Sequence, residues 1–176
     1  MLFCGLKSIH MKMSFFRVFI ITAFLFVAQS GFSQTPIEFN NKLAQITDSL
    51  FKKGQAWGKK FSEVHPTKEY YKLSPYRIEM EDFLEKKIRE LAATPDVSDS
   101  KELREGMMEF LSYELQMAVN VFKPFEKLDN TSSSTDISAT LDNLKKAAAN
   151  ENAKLQEYIK MQKTYAANNG FKIAGE

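Results

Sequence analysis

Three groups of side chains in this sequence could do chemistry. The first is carboxylates in close pairs, Glu79 with Glu81 and Glu105 with Glu109. Two carboxylates in different surroundings can divide acid and base roles, which is the basis of a carboxylate hydrolase. Most of these lie off the apolar positions, among lysines and arginines, where a solvated helix face is the simpler reading. The second is a single base. His65 is the only histidine after His10, and it stands beside Pro66 in an expected loop. A Ser/His/Asp site would rest on it alone, with nothing to orient its ring. No Glu-x-x-His pair exists, so a carboxylate di-metal bundle lacks its ligand set, and a His/Met haem would have only that loop histidine. The sequence therefore assigns no catalytic residue, no metal and no cofactor.

The third group is aromatic rings interleaved with lysines. Trp57, Lys60, Tyr70, Tyr71 and Tyr76 are the candidate binding residues. Rings with hydroxyls among lysines suit a small anionic or sugar-like ligand, or a protein partner at the cell envelope. The competing reading, and the preferred one, is that the rings plug one end of a helical bundle and the lysines keep it soluble. Gly54-Gln55-Ala56-Trp57-Gly58 is the most unusual stretch. Each glycine costs a helix roughly 1 kcal/mol against alanine, so something should offset them. Close helix approach at Gly54, with Trp57 in the core, is preferred over a groove walled by Trp57. Asn152, at a turn of its helix between Ala148 and Leu155, reads as a core or boundary polar group.

The elements that must position these residues are helices. Thr35-Pro36-Ile37-Glu38 has threonine at an N-cap, proline at the first helical position and glutamate three residues after the cap. Phe39, Leu43, Ile46, Leu50, Gly54, Trp57, Phe61 and Val64 then recur at steps of four and three, up to Pro66. Ser74-Pro75 is expected to open a second helix by the same logic, with Leu73, Tyr76, Met80, Phe83, Leu84, Ile88 and Leu91 on its face and Thr94-Pro95 at its end. Asp99 with Glu102 is expected to open a third, showing Leu103, Met107, Phe110, Leu111, Ala118, Val121 and Phe122, terminated or kinked by Pro124. The polar stretch from Asp129 to Thr135 reads as a loop. A fourth helix carries Ile137, Leu141, Leu144, Ala148, Leu155, Tyr158, Ile159, Tyr165 and Ala166, and stops at Asn169-Gly170, where Phe171 can fold back on the last turn.

Short connections make consecutive helices antiparallel, so the expected fold is all-α, an up-down-up-down four-helix bundle. In that topology the end of helix one meets the start of helix two, the end of helix three and the start of helix four, which gathers the aromatic and lysine residues at one end.

What precedes helix one directs the chain out of the cytoplasm. Lys12 and Arg17 form a positive region, Val18–Ala28 is an apolar run too short for a comfortable span, and Gly31 and Ser33 stand where a signal peptidase inspects. Residues 1–33 are thus expected to be an N-terminal extension and secretory signal, with 34–176 the helical domain and no membrane span in the mature chain. Cys4 lies ahead of the apolar run, so the chain is not a lipoprotein, and the mature part holds no cysteine. Loss of Lys7, Lys12 and Arg17 takes the 24 basic residues to 21 against 22 acidic ones, a net charge of −1. A nearly neutral protein has no general field for nucleic acid.

Gly31-Phe32-Ser33-Gln34, Gly54-Gln55-Ala56-Trp57-Gly58-Lys59-Lys60 and Tyr165-Ala166-Ala167-Asn168-Asn169-Gly170-Phe171 together resemble small exported helical proteins of Gram-negative bacteria, known mainly as uncharacterised surface or periplasmic proteins. The resemblance implies a compartment and transfers no site residue. The expected function is binding or structural work at the cell envelope, in the periplasm or outside the cell. A hydrolase-type enzyme with a carboxylate-based site is the alternative. An inward-facing cluster of acids with raised pKa values in a cleft would favour the enzyme.

Overall fold

The computed structural model describes residues 34–173. The expected signal, with Gly31 and Ser33 at its end, and Cys4 lie outside them. Among the described residues there are four α-helices and no strand. The chain divides by its contacts at Gln34–Thr35, and the unit from Thr35 onward carries all four helices.

Helix α1, Pro36–Val64, begins as its sequence dictates. The Glu38 N–H donates to Thr35 Oγ1 at 3.2 Å, and the Thr35 N–H donates to Glu38 Oε2 at 2.8 Å. Helix α2, Ser74–Ala92, does not start with the expected serine cap. A 3₁₀ turn, Tyr70–Leu73, runs straight into it, so Leu73 takes the cap position and Ser74 already lies in the helix. Its hydroxyl instead accepts from Arg77 Nη2.

Helix α3, Lys101–Met117, is preceded by Ser100 rather than by Asp99. Ser98 and Asp99 are left-handed, with φ of 46° and 60°, and Ser100 is fully buried. The Ser100 hydroxyl donates to Asp96 Oδ1 at 2.8 Å and accepts the Val97 N–H at 2.9 Å, so it ties the preceding turn together. Pro124 acts one turn early. The α-helix widens into a π turn, Ala118–Phe122, whose last bond runs from the Lys123 N–H to the Ala118 carbonyl, and a 3₁₀ turn, Lys123–Lys127, follows. Proline supplies no N–H and crowds the carbonyl four residues before it, so the ladder must loosen there.

Helix α4, Ser134–Asn168, takes in two residues of the expected loop, because the Ser133 hydroxyl accepts the Asp136 N–H at 3.1 Å and caps it. Its end is as expected. Gly170 has φ 73°, the Phe171 N–H donates to the Ala166 carbonyl at 3.0 Å, and the Phe171 ring meets Tyr165 edge-on. The expected stripe of α4 holds at Leu141, Leu144, Leu155, Tyr158, Tyr165 and Ala166, and differs by one residue only in its middle. Ala147 rather than Ala148 is buried, and Asn152 is exposed while its neighbour Glu151 is partly covered. Alanines on both sides of the stripe made the two registers look alike.

The core joins Phe39, Leu43, Leu50, Leu84, Met107 and Leu111 with rings from both ends of the helices. Pairs α1–α2, α2–α3 and α3–α4 share long contact surfaces, while α1 and α4 meet over few residues. That seam is fastened where α1 starts and α4 finishes. Gln162 Nε2 donates to Asn40 Oδ1 at 2.9 Å, and Phe39 packs edge-on to Tyr165, whose hydroxyl donates to the Val97 carbonyl at 2.8 Å.

Candidate functional site

Further along, the α1–α4 seam opens into a cleft of about 320 Å³. Leu50, Phe51, Gly54 and Gln55 of α1 form one wall, and Glu151 of α4 faces them. Met80 of α2 and Phe110, Glu114 and Met117 of α3 lie beneath, and Phe122 closes one side from the π turn. Gly54, the glycine of α1 that lines the cleft, puts no side chain into it. A Cβ built on Gly54 meets nothing within 4 Å, so Gly54 marks open space and not the expected close approach of helices. The close approach is at Gly106 of α3, where a Cβ would fall 2.3 Å from Met161 Sδ of α4. Trp57 does not wall the cleft. It lies behind Phe122, stacked on that ring with centroids 4.2 Å apart.

Two carboxyl groups set the chemistry of the cleft. Glu114 is buried, 5% exposed, and its Oε1 has no hydrogen-bond partner. Burial among apolar side chains, together with the nearby charge of Glu151, pushes its pKa up to about 8. Burial also raises Glu151. Glu114 therefore holds its proton at neutral pH, and the pair carries less than its formal charge of −2. Tyr113 beside it is occupied elsewhere, since its hydroxyl donates to the Ala147 carbonyl at 3.0 Å. Apart from these carboxyls, Gln55 is the only polar side chain among the described residues that line the cleft, and none of those residues is basic.

The residues singled out from sequence do not form one site. Tyr70 has no exposure, and its hydroxyl lies 2.6 Å from His65 Nδ1. Trp57 is 4% exposed. Together with Phe61, Phe122 and Phe125 these two rings make a continuous aromatic cluster, so neither presents a face to solvent. Tyr71 is exposed, with Lys72 Nζ 5.8 Å from its ring centroid. Lys60 is engaged with Glu63 at 3.0 Å. Tyr76 lies in a separate shallow groove between α1 and α2, beside Lys52, Lys53, Glu79 and Phe83. The lysine-rich end thus closes over a packed ring cluster, and the acidic cleft lies mid-helix.

Glu114 and Glu151 escaped the sequence reading, although Glu114 left a trace. The apolar stripe of α3 steps from Leu111 to Ala118 with the intervening turn unfilled, and Glu114 occupies it. A charged residue in a core position is the signal that could have found it. Of the carboxylate pairs considered from sequence, Glu105 and Glu109 are exposed, and Lys154 Nζ lies 2.7 Å from Glu109.

No family model matches the chain, and no curated protein or solved structure matches it either. Among the described residues no group of three or more His, Cys, Asp or Glu side chains could hold a metal, and no helix is long and apolar enough to cross a membrane.

Proposed function

We propose that this is an exported binding protein of the cell envelope, an up-down-up-down four-helix bundle that holds a small, mostly apolar ligand in the cleft between α1 and α4. The single observation behind this reading is the cleft itself: an apolar recess of about 320 Å³ with a buried, unpartnered carboxyl at its base. A few convergent polar groups in an otherwise apolar concavity are the usual form of a small-molecule site. Export rests on the tripartite segment before Thr35 and on the resemblance to exported helical proteins. Intact mass of protein recovered from the envelope tests it, and a mass retaining Val18–Ala28 would make the protein a tethered one.

Native mass spectrometry of protein purified from its own host tests the cleft. A bound small molecule is expected on the wild type and not on Gly54→Trp, whose side chain fills the recess. Identical ligand-free masses for both proteins would overturn the reading.

A second reading is supported by Glu114 and Glu151 together, two acids with raised pKa values in one cleft, the arrangement named above as favouring an enzyme. A carboxylic acid still protonated near neutral pH can act as a general acid, with Glu151 as a base, in a hydrolase. Turnover of ester or glycoside substrates that is abolished by Glu114→Gln would favour the enzyme.

A further inference from the structure

We propose that the cleft takes a monocation carried on an apolar group, such as an alkylammonium, with the charge set against Glu114 and Glu151 and the apolar part among Leu50, Met80, Phe110 and Phe122. The inference rests on the binding reading above and names the class of ligand.

Three observations carry it. Glu114 Oε1 is buried at the cleft without a hydrogen-bond partner, so the protein bears the cost of desolvating an acceptor that nothing in the chain uses. Among the described residues every ionisable side chain lining the cleft is acidic, which disfavours an anion there and lets a cation replace the proton that relieves the repulsion between Glu114 and Glu151. Three of the lining residues are phenylalanines, Phe51, Phe110 and Phe122, whose ring faces attract a cation that has left water. Metal ions fit poorly, because two carboxyls and one amide in an apolar recess supply too few oxygens for a hard cation.

Among the described residues Glu151 is the charge that acts on Glu114, and the polar groups nearby in sequence or on the packed helices are engaged elsewhere. From α3, the Tyr113 hydroxyl donates to Ala147. From α2, Arg77 is held by Glu81 at 2.7 Å and by Glu126. Among the described residues the cleft receives only Gln55 of the polar side chains of α1, and only Glu151 from α4. A permanent cation binding beside Glu114 therefore favours its ionised form, and at neutral pH the displaced proton passes to solvent.

Titration calorimetry of the exported chain with three probes of one chain length, hexyltrimethylammonium, hexanol and hexanoate, tests the assignment. The cation is expected to bind with one site, and its affinity to rise about tenfold or more between pH 6 and pH 9. Glu114→Gln is expected to weaken the cation about tenfold or more, to leave hexanol within about twofold, and to flatten the pH dependence. Gly54→Trp should abolish whatever binding the wild type shows for the probes. If hexanol or hexanoate binds as tightly as the cation and Gly54→Trp removes it, the ligand class is wrong and the cleft reading stands. If none of the three binds the wild type, or Gly54→Trp binds them unchanged, the cleft reading falls as well. A circular-dichroism melt showing Glu114→Gln folded as the wild type keeps its loss of affinity attributable to the carboxylate.

Discussion

Two stretches of α1 lie one to two turns apart and have opposite characters. At Trp57 and Phe61 the helix is covered by Phe122, Phe125 and Tyr70, ring upon ring, which buries Trp57 and covers part of Phe61. At Leu50–Gln55 the same helix borders a recess that Glu114 also lines, with its Oε1 buried and unpartnered. The difference comes from what stands opposite. The π turn swings Phe122 across the first stretch, whereas the second faces α4, which touches α1 over few residues. Aromatic richness in the sequence thus marks the most filled part of the molecule. The part with room for another molecule is marked by a glycine and an out-of-place glutamate.

The largest effect should come from breaking the closed stretch. Trp57→Ala removes a ring packed against three others and should cost about 3–5 kcal/mol in denaturant unfolding. The single tryptophan should emit as a buried indole, and a water-like emission maximum would erase the contrast between the two stretches.

Next comes the acid in the open stretch. Glu114 has a folded pKa raised from 4.5 to about 8, so the folded state holds its proton more tightly than the unfolded state does. The stability linked to that proton is fully present below pH 4.5, declines as pH rises, and is gone above about pH 8. Glu114→Gln mimics the protonated form. It should leave the melting temperature little changed at pH 4.5 and raise it at pH 9, by an amount worth a few kcal/mol. Equal melting temperatures for the two proteins across that range would show that the recess is wetter than described.

Two glycines sharpen the comparison at smaller magnitude. Gly106→Ala drives a methyl into Met161 and should destabilise by about 1–3 kcal/mol unless that side chain swings aside. Gly54→Ala meets open space and should stabilise by up to about 1 kcal/mol through helix propensity alone, while narrowing the recess. Opposite signs in a pair of thermal melts are the expected result. The smallest effect belongs to Tyr71→Ser, an exposed ring outside both stretches, which should shift stability by less than about 0.5 kcal/mol.

Features set by a few neighbouring residues were legible in the sequence. The start of α1 is one, because both reciprocal bonds of Thr35 and Glu38 lie within four residues. The reversal after Asn169 is another, because it needs only Gly170 in a left-handed conformation and Phe171 beyond it. Ser74 misled because the turn before it continues into the helix, which the cap pattern cannot reveal. The candidate site was least legible. Glu114 lies beneath a recess made by side chains of all four helices and the π turn, and its environment exists only once they have met. Lysines and tyrosines drew attention to the bundle end, yet composition cannot separate a ring that fills space from one that faces solvent.

The π turn has a consequence for how residues are counted along the chain. Five residues, Ala118–Phe122, span what a regular helix would cover with about one fewer. Each residue of an α-helix advances the chain by about 100° around its axis, so everything from Lys123 onward is turned by roughly that angle from an uninterrupted path. Phe125 is fully buried in that displaced frame. Deleting one residue here, the exposed Asn120 for example, would leave composition and apolar content almost untouched. It would rotate Phe125 and Glu126 off their partners, undoing at once the ring cluster and the hold on Arg77. The segment is therefore far less tolerant of a change in length than of a change in residue type.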